Sequence, residues 1–280
     1  MRKFYKFYTD KKHNITALKN AQFYAALVSQ FNDPYEGLMK VGAAFCYYGG
    51  VAKEIVEEIR TRRMVVCLSE SNDSDFVGKS LQMWAHYANN HFGFCVEYND
   101  NILSGMRETG VENTFIKVNY SDELVPLVDC NGKEIKKTIP NPAPTIDDVN
   151  KMARDVLGTK ETKWAYENEW RLIYRFDRAL NEHKKEKGRL VDICGGISSI
   201  NAIYIGLRTE NWLRTQLIEF AFEHGIECYQ KELNLSIYQL NKIKITKDFL
   251  TNNIPVNQQD SFSYFKEKVN LIMEEGNVLQ

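Results

Sequence analysis

The chain has 280 residues, of which 44% are hydrophobic and 12% aromatic, so it is long enough to bury a sizeable core. Its 36 basic and 37 acidic residues give a formal net charge of −1, which excludes a global attraction to nucleic acid or to an anionic membrane. The six cysteines include no Cys-x-x-Cys pair and the N-terminus has no signal-peptide apolar stretch. We therefore expect a cytoplasmic protein with reduced thiols and no membrane association.

The first half of the chain alternates between predicted strands and helices. In chain order, the patterns predict a strand at 4–8, a helix from Asn14 to Lys19, a strand at 22–28, a helix at 51–62, a strand at 64–68, a helix at 81–90 and strands at 92–98 and 115–120. Between them, Asn32-Asp33-Pro34 predicts a turn, because Asx side chains bond to the backbone and proline fixes φ.

The second half begins with a polar, proline-containing stretch, and we interpret 121–162 as an insertion that ends in a helix stopped by Gly158. A strand follows from Asn168, and 202–229 has the layout of a strand-helix-strand unit, followed by a strand at 236–246. We predict one α+β domain over 1–250, with a mixed or antiparallel sheet core and flanking helices. Residues 251–280 form a C-terminal extension with a short helix.

Residues 164–175 are the most informative stretch. Alternation along a strand places Glu167, Glu169 and Arg171 on one face and Trp170 and Leu172 on the other. Two neighbouring carboxylates suit acid/base chemistry or the stabilisation of a cation, because like charges raise one of the two pKa values. The alternative is a solvated outer face with cross-strand basic partners.

Two further groups of residues can each be interpreted in two ways, as functional residues or as purely structural ones. His86, within Met-Trp-Ala-His-Tyr at 83–87, suits phosphate binding or acid/base work, but it also suits a buried, hydrogen-bonded ring. Asn32 and Asp33 lie on a rigid turn that can present them to a ligand, or they form an ordinary structural turn.

Lys6 lies near Tyr5 and Tyr8, where the ammonium can hold a phosphate while a ring stacks on a base. The alternative is a protective lysine on an edge strand. His91 and Glu97 have poor spacing for a metal site, so no metal is expected. The phosphate-binding and nucleophile-elbow glycine motifs are missing from the sequence.

Four motifs together resemble a bacterial family known as domain of unknown function 2971. They are Phe-Asn-Asp-Pro-Tyr-Glu at 31–36, Val-Val-Cys-Leu-Ser-Glu at 65–70, Met-Trp-Ala-His-Tyr-Ala at 83–88, which continues to Glu-Tyr at 97–98, and Trp-x-Tyr-Glu-x-Glu-Trp-Arg at 164–171. The resemblance runs from about residue 4 to residue 240, and it implies no established chemistry.

The order of elements also resembles ADP-ribosyltransferases, which implies an ADP-ribosyltransferase-like fold with NAD as the substrate. On that resemblance Lys6 stands where the family has His or Arg, Ser69 stands on the central strand, and Glu169 is the catalytic glutamate of Glu-Asn-Glu. Glu167 would then orient or deprotonate the acceptor. The other implied NAD-binding residues are Tyr8, Asn32, Asp33, Trp84, His86, Tyr87 and Arg171.

The leading hypothesis is therefore NAD-dependent ADP-ribosyl transfer to an unknown macromolecular acceptor, either protein or nucleic acid. Such an enzyme would serve as a bacterial toxin or phage-defence effector. Two alternatives stay open. One is a non-catalytic ligand- or protein-binding domain. The other is a metal-dependent hydrolase or nuclease that uses Glu167 and Glu169.

Overall fold

The structure, a computed structural model, describes residues 2–40, 59–104, 113–126, 146–176 and 187–246. The strands are β1 (Lys3–Tyr8), β2 (Gln22–Leu27), β3 (Arg63–Glu70), β4 (Phe94–Asn99), β5 (Asn113–Lys117), β6 (Asn119–Tyr120), β7 (Thr159–Lys160), β8 (Glu169–Arg175), β9 (Gly188–Asp192), β10 (Ile200–Ile205), β11 (Glu227–Leu233) and β12 (Leu240–Lys244). The α-helices whose two ends lie in the described residues are Lys12–Lys19, Phe76–Lys79, Leu81–Tyr87, Ile146–Leu157 and Asn211–His224. Residues 59–62 of the predicted helix at 51–62 are also helical, and 51–58 lie outside the described residues. The chain is thus a mixed α/β protein with mostly antiparallel strand pairing, as the strands and helices predicted from the sequence indicate.

Residue contacts divide the chain into two compact units. Unit 1 comprises Met1–Ala21, Ser71–Ile102 and Gly195–Gln280, and unit 2 comprises Gln22–Glu70 and Leu103–Cys194. From the sequence we predict one domain over 1–250, because no change in composition marks the points where the chain passes from one unit to the other. Of the interpreted insertion, 127–145 lie outside the described residues, as do all of 251–280.

Unit 1 is built on five strands in the order β12-β11-β10-β4-β1. β10 and β11 are parallel, and the helix Asn211–His224 connects them and packs on both, which confirms the predicted strand-helix-strand unit. The helix ends at Gly225, whose φ of +66° is the left-handed conformation that glycine favours after a helix. All six residues of β4 are buried, as expected for a central strand covered on both faces.

The main sheet of unit 2 has five strands in the order β5-β8-β3-β2-β9, each antiparallel to its neighbour. The register of β3 and β8 runs from Arg63 opposite Arg175 to Ser69 opposite Glu169. The helix Ile146–Leu157 covers this sheet, because Met152, Val156 and Leu157 pack in one cluster with Val65 of β3 and Ile173 of β8. The short parallel pair β6 and β7 lies beside the end of that helix.

Several predicted boundaries are wrong by a few residues. The first helix begins at Lys12 instead of at Asn14, whose side-chain amide instead donates to Thr9. The helix from Leu81 ends at Tyr87 instead of at residue 90, because Asn89, Asn90 and His91 all have positive φ. Such left-handed residues cannot continue a right-handed helix.

Among the described residues, no helix is both long enough and apolar enough to cross a membrane. The cysteines at 67, 95, 194 and 228 are free thiols.

Candidate functional site

Five charged side chains of unit 2 meet inside the protein, and we refer to Glu36, Lys160, Glu167, Glu169 and Arg171 as the charge network. The Lys160 ammonium lies 2.6 Å from a carboxylate oxygen of Glu167, 3.0 Å from one of Glu169 and 3.5 Å from one of Glu36. Each of these side chains is at most 4% exposed. The network therefore lies away from bulk water, which excludes the alternative of a solvated acidic face.

Arg171 occupies the centre of the network and uses all five of its N–H donors. Nη1 and Nη2 donate to the two oxygens of Glu36 at 2.9 and 2.7 Å, in the bidentate geometry that suits a guanidinium. Nε and Nη2 donate to Glu169 at 2.8 and 3.2 Å, and Nη1 also donates to the carbonyl oxygen of Leu157 at 2.7 Å. Since arginine has five N–H groups, none is left for a further partner.

Glu167 and Glu169 reach Lys160 from two different elements. Glu167 ends the 3₁₀ helix Thr162–Glu167, and Asn168 then adopts a left-handed conformation with φ of 43°. The Asn168 side-chain amide donates to the carbonyl oxygen of Glu70, which holds the bend against β3. The predicted start of the strand at Asn168 is therefore wrong, since β8 begins at Glu169, yet both carboxylates converge on one ammonium.

Glu36 enters the network from the turn that the sequence predicts at Asn32-Asp33-Pro34. An oxygen of the Asp33 carboxylate accepts the backbone N–H of Tyr35 at 2.9 Å, which is the Asx turn expected of this sequence. The chain leaves through Gly37, whose φ is +72° and where a Cβ atom would lie 2.7 Å from Val28 Cγ1. This backbone position therefore favours glycine. The Asx turn and Gly37 together direct the Glu36 side chain inward.

Burial and charge act in opposite directions on the groups of this network. Burial alone would raise the pKa of Glu169, but Arg171 and Lys160 outweigh it and lower that pKa to about 2. Burial acts to lower the pKa values of Lys160 and Arg171, but the surrounding carboxylates raise both. All three groups are therefore charged at neutral pH, and the five side chains comprise three carboxylates and two cations.

A cavity of about 490 Å³ in unit 2 is bordered by part of this network, and we call it the acidic cavity. Its volume is in the range of small-molecule sites. Its walls contain more carboxylates than ammonium groups, namely Asp33, Glu36, Asp122, Glu123 and Glu161 against Lys160 and Lys163. This excess of negative charge suits a ligand that carries, or develops, a positive charge.

Asp33 is a buried carboxylate of the cavity wall, and one of its oxygens is able to accept a hydrogen bond from a ligand. It is 8% exposed, and one of its oxygens accepts the Tyr35 N–H. Its second oxygen has no hydrogen-bond partner among the residues that the structure describes. Glu36, by contrast, has both oxygens bound by Arg171. Of the two buried carboxylates in the wall, Asp33 is therefore the one able to contact a ligand directly.

Two other predicted residues also lie in unit 2. Asn32 is exposed on the turn before Asp33. Ser69 is buried on β3 and lies opposite Glu169 in the register of β3 and β8.

The remaining predicted residues lie in unit 1. Trp84 is fully buried, and its indole N–H donates to the carbonyl oxygen of Val77 at 2.8 Å. Its ring packs against Phe7 and His91, so core contacts take up the ring that the ADP-ribosyltransferase resemblance implies for NAD binding. His86 is exposed, which overturns its alternative as a buried ring.

Tyr87 is half-buried, with its ring 6.2 Å from that of His86. The hydroxyl group of Tyr8 lies 2.7 Å from that of Tyr98, and both rings are buried. The Lys6 ammonium lies 5.5 Å from the centre of the Tyr8 ring. The proximity of Lys6 and Tyr8 that the sequence analysis uses is therefore present.

Sequence reasoning assigned no role to Lys160 or Glu36. Lys160 lies in Thr-Lys-Glu-Thr-Lys at 159–163, which reads as a polar surface segment. Nothing in that composition distinguishes a buried lysine from its exposed neighbour Lys163. For Glu36 a signal existed, since it ends the Phe-Asn-Asp-Pro-Tyr-Glu motif.

In the described part of the chain, no group of three or more His, Cys, Asp or Glu residues has the geometry to hold a metal ion. Between Glu167 and Glu169, where the metal-dependent alternative would place its cation, lies the Lys160 ammonium.

Comparison with known proteins gives one family. No curated protein matches the chain, and no solved structure matches it. Residues 83–172 match the model of a family described as a protein of unknown function, DUF2971. The matched segment contains the motifs at 83–98 and 164–171, and over these residues the chain carries the signature of the DUF2971 family that its sequence motifs predict.

Proposed function

We propose that this protein transfers ADP-ribose from NAD to a macromolecular acceptor, with the nicotinamide riboside end of NAD in the acidic cavity. The observation that carries the proposal is the charge of that cavity, whose walls hold five carboxylates and two ammonium groups. The nicotinamide ring of NAD is cationic, and its glycosidic bond breaks through an oxocarbenium-like state. Both charges are positive, and both are stabilised by fixed carboxylates.

The reaction breaks the bond between C1′ of the ribose and the ring nitrogen, and the electron pair stays on the nitrogen of the departing nicotinamide. The acceptor then forms a new bond to C1′ and loses its proton to solvent. Asp33 offers its unbonded oxygen to the ribose and to the positive charge that develops at C1′. It thereby takes the contact role that the sequence analysis assigned to Glu169.

Glu169 acts at a distance in this proposal, because Arg171 and Lys160 already occupy both of its oxygens. It holds the Lys160 ammonium in place and contributes negative charge beneath the cavity. Glu36 contributes in the same way from the wall. The charge network is thus the preorganised support of the site, and it does not itself touch the substrate.

The test measures nicotinamide released from NAD in the presence of a cell lysate as the source of acceptor. Asp33→Asn is nearly isosteric and keeps the oxygen that accepts the Tyr35 N–H. We expect it to slow release about a hundred-fold, which is the scale of losing one electrostatic contact to the transition state. Asp192→Asn is the matched control, because Asp192 is an exposed carboxylate of unit 2 whose contact is with Gln22.

A second function, binding of a cationic ligand without turnover, is favoured by the complete internal pairing of Glu36 and Glu169. The same experiment separates the two functions. NAD binding by calorimetry without nicotinamide release supports the binding domain. The absence of both binding and release, or equal release by wild type and Asp33→Asn, overturns the transferase proposal.

A further inference from the structure

A second cavity of unit 2, of about 800 Å³, has no role in the function proposed above, and we call it the aromatic groove. Its lining includes Phe115, Lys117, Arg154, Asp155, Thr159 and Trp170. Thr159 and Val125 border both the aromatic groove and the acidic cavity. The two cavities therefore adjoin at these two residues.

The charges of the two cavities are opposite in sign. Lys117 and Arg154 border the groove with one carboxylate, that of Asp155. The acidic cavity has three more carboxylates than ammonium groups. Adjoining sites of opposite charge select a ligand with one anionic and one cationic end, because either end is repelled from the wrong site.

The groove also presents a fixed aromatic surface. The rings of Phe115 and Trp170 lie 5.6 Å apart with an interplanar angle of 26°. The Trp170 indole N–H donates to Glu70 at 2.8 Å, which fixes the orientation of the half-buried ring. Lys117 pairs with Trp170 in the register of β5 and β8, so its ammonium lies on the same face as the indole. A planar base that stacks on this surface has a cation beside it.

The helix Ile146–Leu157 ends at the groove, and its last carbonyl oxygens would repel an anion if they were unbonded. Three of them are occupied. Gly158 N–H donates to the carbonyl of Arg154, the Thr159 hydroxyl donates to that of Asp155, and Arg171 donates to that of Leu157. The cations that a ligand meets here are then Arg154 and Lys117, whose ammonium lies 3.8 Å from a carboxylate oxygen of Glu70.

From these contacts we infer that the aromatic groove binds a nucleoside diphosphate, with its base against Trp170 and its phosphates between Lys117 and Arg154. If the proposed function holds, on which this second step rests, the ligand is the adenosine diphosphate half of NAD. The nicotinamide riboside half then passes Thr159 into the acidic cavity.

Calorimetry with ADP on the full chain tests the groove without any nicotinamide chemistry. We expect ADP to bind wild type, and Lys117→Met and Arg154→Met each to weaken binding about ten-fold, the scale of one charge-assisted phosphate contact. Lys151→Met is the matched control, because Lys151 is an exposed lysine of the same helix that does not line the groove. Adenosine should bind more weakly than ADP, and its affinity should not change in the two variants.

Failure of this inference and failure of the proposed function give different results. ADP that does not bind, or that binds all the variants equally, overturns the groove assignment even if nicotinamide is released from NAD. ADP binding that depends on Lys117 and Arg154, without nicotinamide release, supports the groove and overturns the transferase. Circular dichroism of each variant shows whether a lost signal reflects unfolding.

Discussion

Arg171 is the residue on which the charge network depends most, because from the centre it donates two hydrogen bonds to Glu36 and two to Glu169. Its 0% exposed side chain forms five hydrogen bonds, one of them to the end of the helix that covers the unit 2 sheet. The sequence predicted that Arg171 shares a strand face with Glu169, since the two residues alternate along β8. It could not predict Glu36, which lies 135 residues away along the chain.

Replacing Arg171 with methionine should destabilise the protein by about 3–5 kcal/mol, because Glu36 and Glu169 would be left buried without their principal partner. Urea unfolding of wild type and Arg171→Met measures the difference. Lys163→Met, which removes an exposed ammonium paired with Glu161, serves as the control and should unfold like wild type. A loss below about 1 kcal/mol for Arg171→Met would mean that the network contributes little to folding.

Glu169 should make stability depend on pH in the acidic range. Its folded pKa of about 2 lies below its ordinary value of 4.5, so its contribution is complete above pH 4.5 and is lost as the pH falls toward 2. The full loss is on the order of 3 kcal/mol. Thermal unfolding at pH 5 and pH 3 should show a smaller decrease for Glu169→Gln than for wild type. Identical decreases would contradict the low pKa of this carboxyl group.

At the scale of elements, periodicity located most strands and helices, and it failed where backbone conformation or distant partners decide the structure. The strand-helix-strand unit of β10 and β11 was predictable because hydrophobic period, length and a terminal glycine agree. The 3₁₀ helix before β8 was not, since the alternation of Glu167 and Glu169 also fits a continuous strand. The left-handed Asn168, which ends that helix, has no unambiguous sequence signal.

Strand β11 also contains a buried lysine, Lys231, whose burial the sequence pattern did not predict. Lys231 is 1% exposed, and its ammonium lies 5.9 Å from the centre of the Tyr204 ring. No ion pair joins it to any residue of the described ranges. Burial, followed by the charge of Lys242, lowers its pKa to about 8. The strand therefore carries a lysine whose protonation opposes folding.

Lys231→Met should stabilise the protein at pH 7. The lysine loses its proton at about pH 8 in the folded state and near its ordinary value of 10.5 when unfolded, so wild-type stability rises between these two pH values. The rise is on the order of 3 kcal/mol. Chemical unfolding at pH 7 and pH 9.5 should show a gain for the variant at pH 7 that shrinks at pH 9.5. A variant less stable than wild type at pH 7 would contradict this account of β11.

At the scale of the whole molecule, the sequence predicted the mixed α/β class and the similarity to DUF2971 that the family model finds over 83–172, but it did not divide the chain into units. Unit 1 is drawn from three segments and unit 2 from two, and of the four crossings only the one at Gly195-Gly196 has adjacent glycines. The sequence did not predict the acidic cavity either, because the residues of its wall are distant along the chain. Its wall combines Asp33, residues at 121–125 and Lys160, which only the folded chain brings together.

The central claim is that the acidic cavity selects a positive charge at the nicotinamide end of its ligand. NAD and its reduced form, NADH, differ at that ring, which is cationic in the former and neutral in the latter. Calorimetric affinities for the two, measured on wild type and Asp33→Asn, test the claim most directly. We predict that wild type binds NAD at least about ten-fold more tightly than NADH, and that Asp33→Asn loses most of that difference. Equal affinity for the two forms, or tighter binding of NADH, would contradict the account.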